Sequence, residues 1–133
     1  MKTEAALYAY LVAQSGLTDL VSTRIYPLVI EQSASLPAIV YQRIASMPIH
    51  LSGDDDNLRD VSMGVYCIAE NYDEVKDVQE QVETALNNYS GTMGGDGGVV
   101  VQRVFLENIG ESFNDDMRVF IVELTYSIWA EEA

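Results

Sequence analysis

The sequence has one cysteine, Cys67, and one histidine, His50, among 133 residues. A single cysteine excludes an internal disulfide, so the chain need not see an oxidising compartment. One imidazole and one thiol leave little material for acid–base, nucleophilic or metal chemistry. Basic residues are scarce too: seven Lys and Arg stand against 21 Asp and Glu, a formal net charge of −14. Phosphate affinity comes from Lys and Arg releasing condensed counterions, so this balance argues against a nucleic-acid-binding surface. It argues equally against docking on anionic lipid. No apolar run approaches the roughly 20 residues that a membrane-spanning helix needs. What the chain does have is 48% apolar residues. At this length that suffices for one real core, and the expectation is a single domain over 1–133.

The N-terminus, Met1-Lys2-Thr3 followed by Ala5 to Ala13, superficially resembles a short signal peptide. Glu4 sits where such a peptide is positive, and Tyr8 and Tyr10 interrupt the apolar run. Leu7, Tyr10, Leu11 and Gln14 fall at helical spacing, which predicts an amphipathic helix from about Thr3 to Ser15, stopped by Gly16. A short second turn is expected at Thr18 to Val21, with Thr18 as its cap. Arg24 to Ile30 reads as extended, and Pro27 confines it to an edge or to irregular strand.

Pro37 to Ile49 is a long strand candidate, rich in β-branched and aromatic residues. Strict alternation places Ala38, Val40, Gln42, Ile44 and Ser46 on one face, and Ile39, Tyr41, Arg43, Ala45 and Met47 on the other. Ser52 to Asn57 is a turn-rich acidic loop, and a second strand from Arg59 to Glu70 completes a hairpin. Its Val61, Met63, Val65, Cys67 and Ala69 share one face. Asn71 or Asp73 then caps a helix whose apolar stripe is Val75, Val78, Val82, Leu86 and Tyr89. Ser90 to Gly98 holds five glycines and reads as a flexible connection. Strands from Val99 to Ile109 and Met117 to Ala130 follow, with Gly110 to Asp116 turning the chain. The order predicts an α+β domain: a mostly antiparallel sheet with two main helices on one face. Both strand faces carry apolar residues, so part of the sheet is expected to be covered by a neighbouring subunit.

Motifs that could carry chemistry are weak. Asp54-Asp55-Asp56-Asn57 begins like a calcium loop, but Leu58 and Arg59 stand where an oxygen ligand and a glycine belong. Gly94-Gly95-Asp96-Gly97-Gly98 lacks the Lys-Ser/Thr of a phosphate loop and precedes a strand. Nothing joins His50 to Cys67, and alternation makes Cys67 a small buried thiol. Trp129 shares its strand face with Thr125 and Ser127, which suggests a subunit contact.

The landmarks, taken as an ordered series, resemble the tail completion proteins of long-tailed bacteriophages, the family that includes tail-to-head joining proteins and tail terminators. The series runs from the N-terminal helix through Leu17-Thr18-Asp19-Leu20-Val21 and Arg24-Ile25-Tyr26-Pro27. It continues with Leu36 to Ile44, Val65-Tyr66-Cys67-Ile68-Ala69 and Tyr72-Asp73-Glu74, and closes with Arg118 to Ala130. Ser22-Thr23 stands where members often carry a glycine before the arginine. The resemblance implies an α+β subunit that assembles into a ring, hexameric in related tail terminators, at the head-proximal end of the tail. Its implied partners are further copies of itself, the tail tube protein and a head connector or neck protein. Its implied place is the virion, with the host cytoplasm during assembly. No catalytic residue and no cofactor are implied, no membrane is involved, and DNA passes through the ring without sequence-specific binding.

On that reading Asp54, Asp55, Asp56 and Asp60 are candidates for a partner-facing or lumen-facing surface, Gly94 to Gly98 for a docking loop, and Trp129 for a subunit interface. Two other readings use parts of the sequence: a small cytosolic acidic adaptor or DNA-mimicking inhibitor, and a metal-dependent enzyme using the acidic loop. The first leaves the two-sided apolar strands unexplained; the second lacks a convergent site.

Overall fold

The computed structural model describes residues 2–30, 34–49 and 58–132. Helices α1 (Thr3–Val12) and α2 (Ser15–Val21) lead into strands β1 (Ile25–Pro27), β2 (Ala38–Pro48) and β3 (Leu58–Ala69). Helix α3 (Tyr72–Leu86) follows, then β4 (Gly91–Met93), β5 (Val99–Asn114) and β6 (Val119–Glu131). The six strands form one sheet in the order β1-β2-β3-β6-β5-β4. Among the described residues only β1 and β2 run parallel, and the other pairs are antiparallel. The α+β architecture and the edge position of the Pro27 strand are as the sequence predicts, and β1 is that edge.

The helices cover one face of the sheet. Val61, Met63, Val65 and Cys67 on β3 share the core with Val122, Leu124, Tyr126 and Ile128 on β6 and with Val75, Val78, Val82 and Leu86 on α3. Each such side chain contributes about 1.5–3 kcal/mol on full burial. Asn71 caps α3, its Oδ1 accepting the Glu74 amide hydrogen at 2.8 Å. This satisfies one of the four amides that a helix start leaves unpaired. Tyr89 lies past the end of α3, half-buried, with its ring 4.6 Å from that of Tyr10.

Several expected boundaries move, each for a local reason. The first helix ends at Val12, and Gly16 lies inside α2 instead of stopping α1. Gly16 sits close against α3, where an added Cβ would meet the movable amide end of the Gln81 side chain. Helix α2 starts at Ser15, and Thr18 is interior to it rather than its cap. In β2 the strict alternation fails after Arg43. Ile44 is an extra residue there, so Ala45 pairs with Ser62 and Met47 with Asp60. A bulge of this kind moves every later side chain to the opposite face. Strand β5 runs through Gly110 to Asn114, and the turn to β6 is Asp115–Arg118. Two bulges, at Gln102 and Glu107, let β5 follow the curl of the sheet. Finally, the glycine-rich connection contains β4, whose Met93 is fully buried.

Candidate assembly surfaces

Those of the expected site residues that are described fall at one end of the sheet. Asp60 on β3 is directly opposite Trp129 on β6, and Trp129 is opposite Arg103 on β5, all on the face without helices. The Asp60 carboxylate accepts a hydrogen bond from Ser127 Oγ at 2.6 Å. The Trp129 indole packs edge-on against Phe105 at 6.2 Å, and the Arg103 guanidinium lies 4.9 Å from the centre of the Phe105 ring. Asp60 and Trp129 thus belong to one aromatic, charged cluster, a juxtaposition their separation in sequence hides. Asp54, Asp55, Asp56 and His50 lie outside the described residues.

The Gly94 to Gly98 segment is the β4–β5 hairpin turn. It lies at the same end of the sheet, because Val101 of β5 is in register with Ala130 and, through it, Arg59. Gly94, Gly95 and Gly97 adopt positive φ values of 93°, 76° and 75°. Gly98 donates its amide hydrogen to the Gly95 carbonyl at 2.9 Å. A Cβ on Gly98 would fall on the Met93 carbonyl oxygen. These glycines satisfy backbone geometry that other L-residues adopt only at a cost.

The helix-free face is apolar toward the opposite end. Leu28, Ile30, Val40, Ile68 and Ile121 line a shallow depression of about 340 Å³, with Gln42 and Tyr66 at its side. Leu28 is 66% exposed and its neighbour Val29 73%. Ion pairs elsewhere are structural. Arg43 binds Glu132 and Glu4 together, the latter through two nitrogens at 3.1 and 2.6 Å. Glu132 also accepts from the Thr3 amide and hydroxyl at 2.8 and 2.6 Å. Burial opposes ionisation of Glu132, but the hydrogen bonds from Arg43 and Thr3 outweigh it and bring the carboxyl down to about 2. The cluster fastens the start of α1 to the end of β6. Cys67 is fully buried against α3, and burial, helped by Glu83, pushes its thiol up to about 12. Its nucleophilic thiolate is therefore suppressed. Among the described residues no group of three His, Cys, Asp or Glu is placed to hold a metal ion. None of the described helices is long and apolar enough to cross a membrane.

A half-covered sheet, an aromatic cluster at one end and an apolar depression at the other describe a structural α+β subunit that offers faces to its surroundings. Comparison with known proteins gives this class a family. The chain matches the family model of tail completion protein gp17 over residues 5–131, and it belongs to that family, as a structural component of a phage-type tail. Among solved structures it is similar to a chain of the "Virion of native gene transfer agent (GTA) particle", with a TM-score of 0.75 and 16% sequence identity. The match covers 97% of this chain and 94% of that one, and at this identity it is a likeness of fold. No curated protein matches the chain.

Proposed function

We propose that the protein is a tail completion subunit of the terminator kind. It forms a ring at the head-proximal end of the tail, with the tail tube protein on one side and a head connector or neck protein on the other. The observation that carries this reading is the family match over residues 5–131. The fold likeness to a chain of a gene transfer agent virion supports placing it in a virion. A ring needs faces through which copies meet, and the apolar, helix-free side of the sheet supplies surface of that kind.

The charge suits a ring that DNA traverses. Carboxylates facing a channel repel phosphate at close range, within a Debye length of roughly 8 Å at physiological salt. Asp60, together with Asp54, Asp55 and Asp56, is assigned to that surface or to the axial contact with the tube. The Gly94 to Gly98 turn is assigned to docking and Trp129 to the contact between subunits. Electron microscopy of tails made without the protein tests the role. Tails of irregular length that fail to join filled capsids are expected; uniform, joined tails would end the proposal.

A further inference from the structure

Helix α1 has a second apolar stripe that its own fold uses only in part: Val12 packs against the core and the Tyr8 ring lies 6.3 Å from that of Tyr41, while Ala5 and part of Tyr8 remain in solvent. Its core side is Ala6, Leu7 and Leu11, fully buried. Ala5, Tyr8, Ala9 and Val12 lie on the other side at the spacing i, i+3, i+4 and i+7, with Ala5 and Tyr8 exposed and Ala9 and Val12 half-buried. A helix that is apolar all round is normally covered on all sides. The two alanines leave room for another backbone to come close. At the N-terminal end of this stripe stands the exposed Lys2. On the far side of the molecule, beyond the sheet, the depression floored by Val40, Ile68 and Ile121 is lined, among the described residues, only by uncharged side chains. Beside it stands Glu123, which is near enough to Tyr66 to help burial raise that phenol.

We infer that these two surfaces bind each other between copies: the outer stripe of α1 on one subunit seats in the helix-free depression of the next. The inference rests on the ring reading above, whose contact face it specifies. Charge selects the occupant. At −14 per chain, copies repel one another almost everywhere, and desolvating facing carboxylates is costly. Among the described residues the stripe and the depression carry no carboxylate of their own, Glu4 beside the stripe is paired with Arg43, and Lys2 near that stripe is opposite in sign to Glu123 near the depression. The geometry selects the symmetry. The two patches differ and lie on opposite sides of the sheet, so the contact is head-to-tail, the type that closes into a ring when the rotation between neighbours permits. A stable interface needs about 800 Å² per partner, a modest share of the 7224 Å² that the subunit exposes.

The test is complementation between two broken subunits. Ala5→Glu spoils the stripe at an exposed helical position, and Leu28→Glu spoils the depression at a side chain that is mostly in solvent. Circular dichroism and thermal melting check that each variant folds. Solution mass is measured by light scattering and sedimentation at up to millimolar concentration and at high salt. The wild type is expected to assemble, each variant alone to remain monomeric, and an equimolar mixture to give a one-to-one heterodimer and nothing larger. The mixture has one intact stripe facing one intact depression, which no symmetric contact can mimic. Folded variants that assemble like the wild type, or a mixture that stays monomeric, overturn the inference and leave the ring reading to the tail microscopy. A wild type that stays monomeric under all these conditions also overturns it, because the two patches then do not hold copies together.

Discussion

At the scale of single residues, the strongest constraint is Glu132, which is 3% exposed and ionised. Removing its cation strands a buried carboxylate, so Arg43→Met is expected to cost about 3 kcal/mol. The shift in urea midpoint measures it. The same carboxyl predicts an acid limb. Its folded value, about 2, is below the ordinary 4.5, so its contribution is complete above pH 4.5 and fades as pH falls toward 2. A shift of that size corresponds to roughly 3 kcal/mol. Denaturant melts between pH 6 and 2 should show the loss in the wild type and a much flatter profile in Arg43→Met. Cys67 makes a separate prediction: a thiol reagent should label it only as fast as the protein opens globally, and rapid labelling at neutral pH would contradict its burial. The buried thiol was legible from alternation along β3. The Glu132 cluster was not, because Thr3 and Glu4, Arg43, and Glu132 lie on three distant segments that only the folded sheet and helix bring together.

At the scale of elements, local chemistry decided the start of α3, while packing and sheet curvature decided the start of α2 and the strand details. The Asn71 cap could be read directly, and Asn71→Ala should lower stability by about 1 kcal/mol in the same urea assay. The bulges at Ile44, Gln102 and Glu107 could not, since an extra residue in a strand leaves no mark in an apolar–polar pattern until the partner strand is known. Gly110 misled for a related reason: a glycine within β5 resembles a turn when the pairing with β6 is unseen. The β4–β5 turn gives a paired prediction. Gly98→Ala should destabilise by about 1–3 kcal/mol, because the added carbon meets the Met93 carbonyl. Gly95→Asn should cost less, since open space surrounds that position and Asn bears positive φ better than other side chains. Equal effects from the two substitutions would mean that the turn is not held as described.

At the scale of the whole molecule, charge and apolar surface act against each other. Association must bring chains of −14 together, so added salt should promote assembly by screening repulsion that apolar contact alone has to overcome. A light-scattering titration in which assembly declines steadily with salt would show that ion pairs, not apolar faces, hold the copies. The sequence by itself determined the acidic balance, the order of the helices and of the strands other than β4, the buried face of β3 and α3, and the tail-completion resemblance that the family match shows. Each follows from composition or from a period along the chain, which are local quantities. Only the tertiary structure decided that Asp60 meets Trp129, that Glu132 is paired, and that α1 and the helix-free face leave two apolar surfaces on opposite sides. Those facts depend on pairing register and on which face a strand presents after a bulge, and register is settled by contacts between residues that are distant in the chain.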